Sequence, residues 1–351
     1  MKRHTLLIAL VISVGASSAT RQRSWAASRV KPVKVFILAG QSNMVGHAQM
    51  SLLKYQVTAP KTKALFAHLY KNGQWVKRDD VWIRFLKLKG RLSVGYGGDR
   101  GGSVGPELEF GNTVGNYYDE PVLLIKTAWG GKSLFRDFRS PSAGLPSAEY
   151  LQTELKRRQK RRPNTTMQDV RAGYGRFYRE MLREVRETLE NVKDYLPAYK
   201  GQGCEIAGFV WFQGFNDMIN PTYTAAYTEN MVHFIEDVRK DLKRPALPFV
   251  IGQLGVGGDR NVRKKTQIFK DAQAAAAKQP RFKGNVALVR TDQYWDWEAD
   301  AVFKRGWRKH LEEWKKVGSN YPYHYLGSHK CYGRIGKAFA QAIIKLNERK
   351  Q

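Results

Sequence analysis

The chain has 351 residues, 60 Lys and Arg against 31 Asp and Glu, a net charge of +29 and two cysteines. Hydrophobic residues make up 42% and aromatic residues 12%, enough apolar surface to offset chain entropy, which excludes a disordered chain. Two cysteines exclude a disulfide-stapled scaffold and a cysteine-rich zinc site, and leave a single Cys204–Cys331 bridge open in an oxidising compartment.

At the N-terminus, Lys2, Arg3 and His4 precede the apolar run Leu6–Val14 and the small residues Ala16–Ala19. That is the order of a secretory signal peptide, with cleavage expected near Ala19 and within 19–28. The nine-residue apolar run falls short of the roughly 20 residues a membrane-spanning helix needs. Loss of residues 1–19 removes Lys2 and Arg3 and no acid, so +29 becomes +27. No later stretch is long and apolar enough to span a membrane, so the expected mature protein is soluble and either secreted or periplasmic.

Further along, Val33–Ala39, Val122–Ile125, Ile206–Phe212, Phe249–Leu254 and Val286–Val289 are short apolar runs that read as buried strands. Helical faces lie between or after them. Phe177, Met181, Val185, Leu189 and Val192 recur at three- and four-residue steps, as do Met231, Phe234, Ile235, Val238 and Leu242, then Ile335, Phe339, Ile343 and Leu346. Strands alternating with helices predict an α/β fold with a parallel sheet covered on both faces. Ligands of such sheets sit beyond the carboxyl ends of the strands. No repeat or linker divides residues 33–348, which read as one domain. The stretch 47–105, ending in the glycine-rich Gly95–Gly105, reads as a long insertion between the first strand and the next helix.

Chemistry is therefore sought immediately after each strand. The first strand runs into Gly40-Gln41-Ser42, a strand-to-helix turn where a serine hydroxyl can face substrate while its own amide points at a developing oxyanion. It is not the G-x-S-x-G elbow, because position 44 is Met. The second ends in Trp129-Gly130-Gly131, where paired glycines let a backbone amide approach a ligand. After the third, Gln213 offers an uncharged amide donor, and Asn216 beyond it is a candidate substrate contact. Taken singly, each has a structural explanation: Ser42 as a helix N-cap, the glycines as a turn, Gln213 and Asn216 as caps. A serine nucleophile also needs a base. His324, in the loop before the last helix, can reach back to the first strand, although a loop histidine taken alone is commonly just solvated.

In chain order, Gly40-Gln41-Ser42-Asn43-Met44, Gly105-Pro106-Glu107, Trp129-Gly130-Gly131 and Trp211-Phe212-Gln213-Gly214 resemble the blocks of the sialate O-acetylesterase-like family. That family belongs to the SGNH hydrolase superfamily and is related to the acetyl xylan esterases of carbohydrate esterase family six. The resemblance runs from about Val33 to the last helix. It implies a three-layer α/β/α sandwich with a flavodoxin-like sheet, and removal of an O-acetyl group through an acyl-enzyme with no metal or organic cofactor. Carried over by position, Ser42 is the nucleophile and its amide an oxyanion donor. Gly131 is the second donor, Gln213 the third, and His324 the base. Two positions depart from the pattern: Tyr321 stands where many relatives place an aspartate three residues before the histidine, and Phe215 where they commonly place a glutamate. The orienting acid is open among Asp217, Asp292 and Asp296, a backbone carbonyl could hold the imidazole tautomer instead, and His329 is a fallback base.

The charge of the chain points to polyanions. Its densest run, Lys156–Arg162, has six basic residues in seven. Such a run is commonly a solvated face. Export and the absence of a nucleic-acid-binding motif argue against nucleic acid, so the expected partner is an acetylated oligo- or polysaccharide, acidic or sulfated if the charge is used for recognition. Trp295 and Trp297, after the fifth strand, are candidate sugar platforms. A second function class, a silent carbohydrate- or polyanion-binding relative of the same fold, is kept open by the missing aspartate. The joint presence of Ser42, Gly131, Gln213 and His324 favours the esterase.

Overall fold

The computed structural model describes residues 31–349, so the signal-peptide segment and His4 lie outside the described residues. Seven strands form the main sheet: β1 (Val33–Gly40), β2 (Val81–Phe85), β3 (Leu88–Arg91), β4 (Val122–Ala128), β5 (Cys204–Phe212), β6 (Phe249–Gln253) and β7 (Val286–Arg290). Their order is β7-β6-β5-β1-β4-β2-β3, all parallel except for the β2–β3 hairpin, which is antiparallel. With that hairpin set aside, the remaining five strands have the 2-1-3-4-5 order of a flavodoxin-like sheet. The expected α/β/α sandwich is the observed fold.

The period-two alternation of β1 feeds both layers. Val33, Val35, Ile37 and Ala39 join a core with Met181, Val185, Phe234, Val238 and Phe269. These come from three helices: α2 (Arg176–Glu190), α3 (Tyr227–Asp241) and α4 (Lys264–Ala277), numbered after α1 (Glu107–Tyr117). Phe36 and Leu38 point the other way, into a core with Phe110 and Val114 of α1 and Ile335, Phe339 and Ile343 of the last helix, α5 (His329–Glu348). The α1–α5 contact is close enough that a Cβ at Gly336 would meet Pro106 O at 2.1 Å.

The region 47–105 contributes more to the sheet than the sequence pattern suggests, because β2 and β3 both lie within it. The run Val81–Phe85 is interrupted by Arg84, whose charge is buried against Glu184 of α2. The polar edge strand β3 has no apolar signature at all. The strand read as Val122–Ile125 also continues through Lys126, Thr127 and Ala128, all fully buried. Cys204 opens β5 and Cys331 lies in the first turn of α5; both are free, so the bridge left open by the sequence is not formed. Among the described residues, no helix is long and apolar enough to cross a membrane.

Candidate active site

The three central strands end level with one another. Register pairs Gly40 with Ala128 of β4 and with Phe212 of β5, so Gln41-Ser42, Trp129-Gly130-Gly131 and Gln213-Gly214 leave the sheet along one edge. The chain also switches from one side of β1 to the other here, where doubly wound sheets form their ligand crevice. Gly40 is required: at φ +154° a Cβ would lie 2.1 Å from Phe212 O.

Ser42 begins a single helical turn, Ser42–Val45, with Gln41 at the N-cap position. It is therefore not the cap itself. Gln41 instead staples the site, accepting from Gly214 N at 3.0 Å and donating to Asn216 Oδ1 at 3.1 Å. Below the turn, the fully buried Lys126 donates to Val45 O (2.7 Å), Tyr96 O (2.8 Å) and Glu107 Oε2 (2.7 Å). Burial lowers the Lys126 pKa and the Glu107 carboxylate opposes that shift. The Gly105-Pro106-Glu107 block thus supplies the counter-charge of a cation that clamps the serine turn.

The backbone N–H groups of Ser42 and Gly131 have no hydrogen-bond partner among the described residues, nor does Ser42 Oγ. Gly131 sits at φ +68° with open space where a Cβ would project, so its conformation, rather than crowding, favours glycine. Gln213 is differently placed from what the family resemblance implies. Its two N–H donors go to Lys132 O at 3.0 Å and Asp217 Oδ2 at 2.5 Å, and its Oε1 accepts from Tyr227. Asn216 donates one N–H to Gly131 O at 3.1 Å and has a second free.

His324 lies in the turn Pro322–Gly327, where Tyr325 and Leu326 both take left-handed backbone conformations, φ 50° and 61°. Such strain persists only where surroundings enforce it. Tyr325 is fully buried, its hydroxyl bonded to Gly255 N and Thr291 Oγ1, and Leu326 O accepts from Ser319 N and Asn320 N. Asn43 Nδ2 donates to Tyr323 O at 3.2 Å, while Tyr332 OH bonds Asn43 Oδ1 and His324 O. The neighbours of Ser42 and His324 are thereby fastened together, although the serine hydroxyl and the imidazole are not themselves hydrogen-bonded. His324 Nδ1 meets Asn320 Oδ1 at 3.1 Å, and that oxygen also accepts from Tyr321 N at 2.8 Å. On the ring face, His47 stacks at a centroid distance of 4.0 Å. Burial, and secondarily the His47 charge, push the His324 pKa down to about 3.

None of the three expected acids reaches His324. Asp217 is fully buried and accepts from Leu134 N, Phe135 N and Gln213, holding the loop after Gly131; burial pushes its carboxyl up to about 7 against those donors. Asp292 pairs with Lys270 and Arg290. Asp296 caps the helix Trp297–Lys304 and accepts from Ser328. The fallback base is committed too: His329 is buried, its Nε2 bonded to Gln49 O at 2.9 Å. Trp295 is in the core at 3% exposure, which removes it as a sugar platform, and Arg260 covers the ring of Trp297 at 4.3 Å. Exposed aromatic surface lies elsewhere. Tyr321 and Tyr323 stack beside His324, and a cleft of about 590 Å³ lined by Phe303, Trp307, Trp314 and Tyr321 opens at Asn320. Among the described residues, no cluster of His, Cys, Asp or Glu could hold a metal ion.

Sequence reasoning missed Gln41, Asn43, His47 and Asn320. Gln41 and Asn43 flank Ser42 in the quoted block, and Asn320 lies four residues before His324, so proximity to the assigned residues was the available signal.

Residues 32–300 match the family described as "Carbohydrate esterase, sialic acid-specific acetylesterase". A probable carbohydrate esterase of Arabidopsis thaliana is 24% identical over 234 residues, covering 66% of this chain and 72% of that protein. A crystal structure of an Arabidopsis thaliana protein is similar at a TM-score of 0.52 with 18% identity, covering 89% of this chain and 98% of the other. The crystal structure of NanS is similar at a TM-score of 0.51 with 15% identity, covering 92% and 99%. At these identities the two structures speak for the fold.

Proposed function

The chain belongs to the sialic acid-specific acetylesterase family of carbohydrate esterases, and on that premise we propose that it is an exported serine esterase that removes O-acetyl groups from a carbohydrate. Export rests on the sequence of residues 1–19. The observation that carries the chemistry is that Ser42, with hydroxyl and amide unpartnered, and Gly131, with its amide unpartnered, leave the sheet along one edge, while Asn43 next to Ser42 is bonded to Tyr323 next to His324, a histidine that burial keeps neutral.

With Nδ1–H donated to Asn320 Oδ1, Nε2 of His324 is left as the acceptor. Ser42 Oγ attacks the acetyl carbonyl carbon as His324 Nε2 takes its proton. The carbonyl oxygen becomes an oxyanion facing the Ser42 and Gly131 amides, and the second N–H of Asn216 is the available third donor. Collapse breaks the bond to the sugar oxygen, which leaves with the proton from His324. Water, deprotonated by the same nitrogen, then releases acetate and restores Ser42. Tyr321, Tyr323 and the adjoining aromatic cleft suit stacking on sugar rings.

The silent-relative alternative is tested by acetate release from an activated acetyl ester, comparing wild type with Ser42→Ala and His324→Ala. Loss of several orders of magnitude in both variants is expected, the usual scale for removing a member of such a unit. A wild type no faster than Ser42→Ala would overturn the esterase.

A further inference from the structure

The basic run of the sequence is not a uniformly solvated face. It forms the last turns of the helix Ala148–Gln159 and the turn after it. That helix sits on a small core of its own, Phe135, Leu151, Leu155, Val170 and Tyr174. At its inner edge the buried Glu154 draws two guanidiniums together: Arg158 from the same helix, and Arg136, whose Nε lies 3.3 Å away. Arg136 Nε is buried without a hydrogen bond. Arg157, Arg161 and Arg162 complete the wall of a cleft of about 740 Å³, and none of these three has an ion pair among the described residues. Five arginines against Glu154 and Asp169 leave the cleft at +3. Asp169 is occupied as well, in the capping box of Thr166.

The position of the cleft matters as much as its charge. Arg136 lies five residues after Gly131 on the loop that Asp217 anchors through Leu134 N and Phe135 N. Five residues of chain span at most about 18 Å, which places Arg136 within a few sugar units of Gly131, the proposed oxyanion donor. Guanidinium forks bind oxyanions in a bidentate way that a scattered lysine surface does not reproduce. Resting on the carbohydrate esterase reading above, we infer that this cleft is a recognition site for the anionic groups, sulfate esters or uronate carboxylates, of the polysaccharide whose acetyl ester reaches Ser42.

The test is equilibrium binding to dextran sulfate, polygalacturonate and neutral dextran, using the full chain and two triple variants. Arg157→Gln/Arg161→Gln/Arg162→Gln empties the cleft wall. Lys264→Gln/Lys265→Gln/Lys283→Gln removes the same charge from exposed positions elsewhere. The cleft variant is expected to bind the anionic polymers about tenfold or more weakly, with the control within about twofold and neutral dextran unbound by all three proteins. The stronger of the two anionic polymers identifies sulfate or carboxylate as the group recognised. Equal losses in both variants would overturn the inference in favour of diffuse attraction. A single-stranded oligonucleotide bound as tightly as dextran sulfate, through the same arginines, would overturn the polysaccharide assignment. Hydrolysis of a small activated acetyl ester by the cleft variant is expected at the wild-type rate. Failure of the esterase reading would instead appear as no turnover by any protein, with binding unaffected.

Discussion

Replacing Asn320 tests the feature in which this site departs most from an acid-supported serine hydrolase. Asn320 Oδ1 accepts from His324 Nδ1 at 3.1 Å and is itself aimed by Tyr321 N at 2.8 Å. In the transition state of the proposed mechanism the imidazole carries a positive charge, so this would be a hydrogen bond to a charged group. Such bonds contribute about 1.5–3 kcal/mol, and at 1.36 kcal/mol per decade Asn320→Ala is expected to lower kcat/KM about 10- to 150-fold. Asn320→Asp keeps the acceptor and adds a charge. A neighbouring opposite charge moves a pKa by about 1–3 units, which raises His324 from about 3. Because the proposed mechanism needs the neutral imidazole, the acid limb of the profile is expected near or below pH 4 in wild type and shifted upward in Asn320→Asp. The assay is kcat/KM for an activated acetyl ester from pH 3 to 8, with circular dichroism confirming the fold. Wild-type kcat/KM in Asn320→Ala, together with an unmoved acid limb in Asn320→Asp, would refute the role of Asn320.

Asn216→Ala is expected to cost about 10²–10³ in kcat, the scale of one lost oxyanion donor, with little change in Tm. Gln213→Ala removes one of the three donors to the buried Asp217 carboxyl and the partners of Lys132 O and Tyr227 OH, and should show first as about 1–3 kcal/mol of lost stability; an unchanged Tm with kcat abolished would return the donor role to Gln213. Stability should also fall as the medium is acidified below about pH 6.5. Burial holds His329 at about 4 and His324 at about 3, so the unfolded chain binds more protons than the native one between those values and 6.5. Asp217, raised to about 7, acts in the opposite direction between 3.8 and 7. Each of the two histidines contributes up to roughly 1.4 kcal/mol per pH unit near pH 5; His47, also lowered by burial, adds to them, and Glu184, raised by burial, opposes them with Asp217. His329→Gln keeps a donor for Gln49 O but removes one titration, so urea unfolding from pH 4.5 to 7 should show a flatter slope. An unchanged slope would mean that His329 titrates normally.

Much of the sheet could be read directly because it is buried on both faces, which forces near-continuous apolar runs such as Val33–Ala39. The runs that escaped notice are those where a charge is buried with a partner distant in sequence. Arg84 in β2 is matched by Glu184 and Lys126 in β4 by Glu107, and periodicity carries no trace of either pairing. The strand-terminal motifs were readable for a geometric reason. In a parallel sheet with Gly40, Ala128 and Phe212 in register, the residues after each strand meet whatever the loops between them do. The partner of His324 depends instead on a turn with two left-handed residues, Tyr325 and Leu326. Non-glycine residues seldom adopt that conformation, and nothing local in the sequence announces it.

The polar groups gathered around the reacting atoms are predominantly neutral. Gln41, Asn43, Asn216 and Asn320 supply the hydrogen bonds, and the one buried ion pair below the turn, Lys126 with Glu107, is internally compensated. An imidazolium at His324 therefore has no fixed counter-charge to offset its burial, and burial, with the His47 charge beside it, lowers its pKa. In the proposed mechanism its counter-charge forms only when Ser42 adds to the acetyl carbonyl and the oxyanion appears against the Ser42 and Gly131 amides. Cation and anion are then created together, so their attraction is realised in the transition state and absent from the ground state. A carboxylate beside His324 would stabilise the imidazolium in both states and restrict the enzyme to higher pH. The amide of Asn320 orients the ring and leaves the electrostatic stabilisation to the reaction itself.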